Sequence, residues 1–98
     1  MKAVYLLSQA KDFPGNKRRL WESLDYVRKL WTIIEADIID PQNRMNKKTK
    51  SQLISLAHYV DEKVTSLYRY SNTQTIAGLI EIHQHLAQGL FTAGNTPN

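Results

Sequence analysis

Between Pro14-Gly15 and Asp40-Pro41 the chain carries Leu20, Leu24, Val27, Trp31, Ile34 and Ile38, spaced alternately four and three residues apart. That spacing puts all six on one side of an α-helix; a strand, whose sides alternate at every residue, would scatter them over both faces. A helix is therefore expected over about residues 17–39. Asn16 is placed to cap its start, and Pro41 ends it by disfavouring helical backbone at the residue before. Tyr26, Leu30 and Ile33 widen the apolar stripe to about half of the helix circumference, at roughly 100° per residue. So wide a face calls for two packing neighbours, or for one neighbour and a partner.

The same periodicity predicts two more helices. One spans about 47–68, capped by Asn46, with Leu53, Leu56, Ala57, Val60, Val64 and Leu67 on its inner side. The other spans about 74–88 after the polar turn Ser71-Asn72-Thr73. Its stripe is Ile76, Leu79, Ile80, His83, Leu86, Ala87 and Leu90, widened by Ile82, and Gly89 is placed to terminate it. Residues 1–11 suit a short helix with Val4, Leu7 and Ala10 or Lys11 along one side. The fold expected is all-α: a small antiparallel helical bundle of three long helices plus a short N-terminal helix, consecutive helices being joined by short connections. Residues 1–91 form one domain in this scheme, and 92–98, which lack an apolar pattern, form a frayed tail.

At 98 residues a chain buries only roughly 60–65% of the surface it exposes when unfolded, so little is left for a second site. There is no cysteine, which removes disulfides, thiolate nucleophiles and the common structural zinc sites. No apolar run nears the ~18 residues of a membrane span, and MKAVYLLSQAK turns polar too soon for a signal peptide. A cytoplasmic protein without membrane contact is expected. The net charge of +4 leaves acidic partners open without selecting one.

Candidate chemistry is sparse. His58, His83 and His85 are the only imidazoles. His83 and His85, two apart, point to different sides of a helix, whereas a zinc pair needs a spacing of three or four. His83 reads as a half-buried residue bonded to a carbonyl or a neighbouring side chain. Glu22 and Asp25 read as solvated partners of Arg18, Arg19, Arg28 and Lys29. No nucleophile, metal motif or glycine-rich anion loop accompanies them, so neither enzymatic activity nor a cofactor is expected. Arg44, Lys47, Lys48 and Lys50 crowd the start of the third helix and are the candidate contacts for nucleic acid. They lack interleaved aromatics, which favours simple solvation. Trp31 belongs to the core stripe. Trp21, Tyr59 and Tyr70 lie off their stripes, either under loops or open to a partner.

Taken in order, Leu30-Trp31, Asp37, Pro41, Asn43, Gln52-Leu53-Ile54-Ser55-Leu56-Ala57, Tyr59-Val60, Leu79-Ile80-Glu81-Ile82 and Gln88-Gly89-Leu90 resemble the FlaF family of flagellar biosynthesis regulators. The likeness lies in order and spacing over most of the chain. It departs at Met45-Asn46, where the family tends to have Leu-Pro, at Tyr59 (tryptophan) and at His83 (asparagine). The first helix is also short at its start. The resemblance implies an all-helical cytoplasmic protein that binds flagellin, supports its secretion as a chaperone, and works beside FlbT, a partner linked to flagellin mRNA translation.

Helix-in-groove recognition of an amphipathic flagellin end fits that role. The expected contacts are Tyr26, Leu30 and Ile33 on the second helix with Ile82 and Leu86 on the fourth; these follow from periodicity and are not carried over from the family. Two alternatives stand beside it: an RNA-binding post-transcriptional regulator using Arg44, Lys47, Lys48 and Lys50, and a homodimer that hides the wide stripes against a second copy.

Overall fold

The structure, a computed structural model, describes residues 1–90. Four α-helices make up almost all of it: α1 (Lys2–Asp12), α2 (Lys17–Ile39), α3 (Lys47–Arg69) and α4 (Thr73–His85), the last running into a π-helical turn over Leu86–Leu90. No strand occurs among the described residues. The proposed tail at 92–98 and the domain end at 91 lie outside them.

Each long helix starts on an asparagine. Asn16 Oδ1 accepts from the Arg19 amide at 3.1 Å, Asn46 Oδ1 from Thr49 at 2.8 Å, and Asn72 Oδ1 from Gln74 and Thr75 at 2.9 and 3.2 Å. Such caps satisfy amides that lack partners within the helix, typically worth ~1 kcal/mol each. They matter here because no helix has an acidic residue in its first turn. In α2 the charges run against the helix dipole, with Lys17, Arg18 and Arg19 at the start and Glu35 and Asp37 near the end.

α1 packs on α2 and α4, α2 on α3, and α3 on α4. α1 buries Ala3, Leu7 and Ala10; Val4 is only half-buried and Lys11 is exposed. The inner line of α1 thus sits one residue before the expected Val4, because two alanines allow close approach to both neighbours. α2 contributes Leu20, Leu24, Val27, Trp31 and Ile38, α3 contributes Leu53, Ala57, Val60, Val64 and Leu67, and α4 contributes Ile76 and Leu79. The α-helical part of α4 stops at His85, short of Gly89. From there the Leu86 amide divides its hydrogen bond between the carbonyls of His83 and Ile82, and the chain widens into the π-helical turn.

At the centre of this apolar cluster stands one polar pair. Trp31 Nε1–H donates to His83 Nε2 at 2.9 Å, with the rings edge to face at 6.0 Å and 79°. His83 Nδ1 lies 2.7 Å from the Leu79 carbonyl. An indole nitrogen can only donate, so Nε2 must accept and the imidazole proton must sit on Nδ1, donating to Leu79. His83 is fully buried, not half-buried as its position suggested, and both its nitrogens are used. Burial pushes its pKa below the ordinary imidazole value of 6.5, since a charged ring would lose its hydration and set a second N–H against that of Trp31.

Two predictions follow from this pair. Trp31→Phe keeps an aromatic ring but leaves Nε2 buried without a donor, and should lower unfolding free energy by about 1–3 kcal/mol in urea titration at neutral pH. The pH dependence has a defined sign. Above about pH 7 His83 is neutral in both folded and unfolded chains and its stabilisation is complete. As pH falls through 6.5 the unfolded chain takes up the proton first, so stability drops until the lower folded value is passed. The urea midpoint should therefore fall between pH 7.5 and pH 5.5, and less in His83→Gln than in the parent.

Candidate functional site

α1 has 11 residues and α2 has 23, or about 16 and 35 Å at 1.5 Å per residue. α1 can therefore cover only part of α2. Its contacts show which part. Arg19 donates to Gln9 Oε1, and the Lys2 ammonium lies 5.3 Å from the centre of the Tyr26 ring. Ser23, between them, is buried and returns its hydroxyl to the Leu20 carbonyl at 2.6 Å.

Arg19, Ser23, Tyr26, Leu30 and Ile33 follow one another at steps of four, three, four and three, so they form one stripe along α2. The start of α1 reaches the level of Tyr26. Beyond it the stripe goes on uncovered by α1: Leu30 is half-buried against the core, and Ile33 is 68% exposed. Ile34, beside them, is also half-buried. Tyr26, Leu30 and Ile33 thus share one face of α2. Ile82, on α4, is half-buried against the core. Leu86 is different: at 7% exposure it is part of the core, because it continues the buried line of Ile76, Leu79 and His83 at steps of three, four and three, and its side chain is not offered to a partner.

The far end of α2 is held by a corner that periodicity could not show. Asn43 Nδ2 donates to the Asp37 carbonyl at 2.9 Å and its carboxylate at 3.2 Å, while Asn43 Oδ1 accepts from the Met45 amide at 2.8 Å. The Gln42 amide bonds Asp40 Oδ1 at 2.9 Å. Lys50 Nζ closes the corner on the Asn43 carbonyl at 3.1 Å. Of the four residues considered for nucleic acid, Lys50 is therefore engaged within the turn, and Arg44, Lys47 and Lys48 are exposed.

The acidic pair divides its roles. Glu22 binds Arg18 at 3.1 Å on the surface, as expected. Asp25 instead accepts the Tyr68 hydroxyl at 2.6 Å, joining α2 to the last turn of α3, with the Arg28 guanidinium over the same ring at 5.7 Å. Burial, aided by the Asp25 carboxylate, raises the Tyr68 pKa, so the phenol remains a donor. Trp21, Tyr59 and Tyr70 are 51%, 46% and 66% exposed; none is hidden under a loop. No group of three or more histidine or acidic side chains among the described residues is placed to hold a metal ion. No helix among them is long and apolar enough to cross a membrane.

Compared with known proteins, residues 1–90 match the family model described as flagellar protein FlaF. No curated protein and no solved structure matches the chain. The match takes in all four helices, the Asp37–Asn43 corner and the half-covered face of α2, and the chain belongs to the FlaF family of flagellar proteins.

Proposed function

We propose that the chain binds flagellin in the cytoplasm and holds one of its amphipathic ends as a helix until export, acting as a chaperone without catalytic chemistry. The observation that carries this reading is the stripe Tyr26, Leu30 and Ile33, which continues beyond the start of α1 and leaves Ile33 largely in water. A client helix laid along it would extend the packing that α1 makes on the first half of α2. Full burial of a side chain such as Ile33 is worth ~1.5–3 kcal/mol. Ordering an unfolded client costs ~2–5 kcal/mol. A few such contacts give reversible binding, as a protein that must release its client requires.

What sets Ile33 apart from singly exposed residues such as Ile39 is that it lies in line with Tyr26 and Leu30, which pack against the core. The same stripe is also the surface that a homodimer would bury.

Ile33→Asp is the clean test, since Ile33 is exposed and the change should alter unfolding free energy by no more than about 0.5 kcal/mol. Flagellin from the same cell should co-purify with the parent and bind the variant at least about tenfold more weakly, a loss of ~1.4 kcal/mol or more. Binding by the parent should change little between 50 and 200 mM salt, the contact being apolar. Equal capture by parent and variant would contradict the placement. A steep salt dependence abolished by Lys47→Ala and Lys48→Ala would move the activity to the α3 start and to the nucleic-acid alternative.

A further inference from the structure

The end of the molecule at the α1–α2 turn carries a surface that flagellin binding does not use. Three aromatic rings are exposed there: Tyr5 at 62%, Phe13 at 49% and Trp21 at 51%. Four cations lie among them in sequence, Lys11, Lys17, Arg18 and Arg19. The spacing sets them side by side. Lys17 and Arg18 are four and three residues before Trp21 on α2, which makes both its neighbours on the helix surface. The Arg19 guanidinium lies 4.4 Å from the centre of the Phe13 ring and is held there by its bond to Gln9. Tyr5, Gln9, Arg18, Arg19 and Glu22 share the wall of one cleft between α1 and the start of α2, and Arg18 is paired there with Glu22 at 3.1 Å on the open surface, a contact that a phosphate has to compete with. Cations and rings therefore alternate across the turn, from Phe13 and Arg19, through the cleft with Tyr5, to Arg18, Trp21 and Lys17.

We propose that this corner binds single-stranded RNA, with bases stacking on Trp21, Tyr5 and the open side of Phe13 and with Lys17, Arg18 and Arg19 on the phosphates. The chemistry is that of sequence-tolerant single-strand binders, in which flat rings take the bases and interleaved cations follow the backbone. The lysines at the start of α3 lack it, having cations but no rings. An anionic membrane fits the corner less well. Insertion needs a contiguous greasy face, whereas these rings are separated by charges and by the amides of Gln9 and Asn16. Asp12 and Glu22 reduce the local excess to two positive charges, so binding must lean on stacking as well as on charge. The proposal is independent of the flagellin site, which lies further along α2.

The test is fluorescence anisotropy of the full chain with a labelled 12-nucleotide oligouridine, beside sedimentation with vesicles of equal phosphatidylcholine and phosphatidylglycerol. Three or four phosphate contacts predict that RNA affinity falls about 20- to 50-fold between 50 and 200 mM salt. Trp21→Ala should weaken binding about 5- to 100-fold. Trp21→Phe, which keeps a stacking ring, should retain most of it, and Arg18→Ala should flatten the salt slope by about 0.7 in log–log form. Circular dichroism of each variant should match the parent, since the altered side chains are exposed. In the parent, RNA should quench Trp21 emission. The proposal is overturned by no binding at 50 mM salt, by binding that Trp21→Ala and Arg18→Ala leave unchanged, or by vesicle binding without RNA binding.

Discussion

The hydrogen bond from Trp31 to His83 is the interaction on which the arrangement of this protein depends. Leucine and valine pack in many rotations of one helix against another, and a core made only of them says little about which rotation is used. An indole N–H and an imidazole nitrogen are directional, and each costs about 1–3 kcal/mol if buried unpaired. Turning α2 or α4 by one residue step would strand both. The pair therefore selects one rotation of α2 about its axis. With Trp31 turned toward α4, the stripe through Tyr26, Leu30 and Ile33 has to lie to the side.

That side is where α1 sits, and α1 is too short to fill it. Its alanines fit closely against the first half of α2, and the cation of Lys2 beside Tyr26 marks where the cover ends. Past that point the apolar stripe outruns its neighbour. The far end of α2 ends on acidic residues that oppose the helix dipole, and Asn43 gathers Asp37 and Met45 into a tight corner. The uncovered segment is thus braced at both ends, by the α1 packing on one side and by the corner on the other. Rigid support of this kind favours a preformed seat for a partner over a surface that must first be ordered.

Much of this was legible in the residues. The three long helices, the caps Asn16 and Asn46 and the capping turn Ser71-Asn72-Thr73 follow from apolar spacing and from turn chemistry, because these are local. The width of the α2 stripe called for two neighbours, or for one neighbour and a partner; α1 and α3 both pack on α2, and the stripe still leaves Ile33 exposed. What spacing could not give was anything that depends on distant residues meeting. Asp25 has arginines within helical reach, yet it takes the Tyr68 hydroxyl from another helix. His83 looked half-buried because a histidine in an apolar stripe tends to lie at its edge; only the indole of Trp31 makes complete burial tolerable. Leu86 belongs to the inner stripe with Ile76, Leu79 and His83, and the fold uses it there as core, so it is not free to line a groove as well. The corner built on Asn43 depends on bonds to backbone atoms, which leave no periodic trace.

The central claim is that the second half of α2, and not its first half, receives flagellin. Hydrogen exchange of the chain alone and in complex with flagellin tests it directly, since protection by a bound helix is confined to the segment it covers. Exchange of the amides from about residue 29 to 39 should slow on binding, with those of 17–23 beneath α1 unchanged. Protection confined to α3, or to the α1–α2 turn, with the Leu30–Ile33 segment exchanging as in the free chain, would contradict the account.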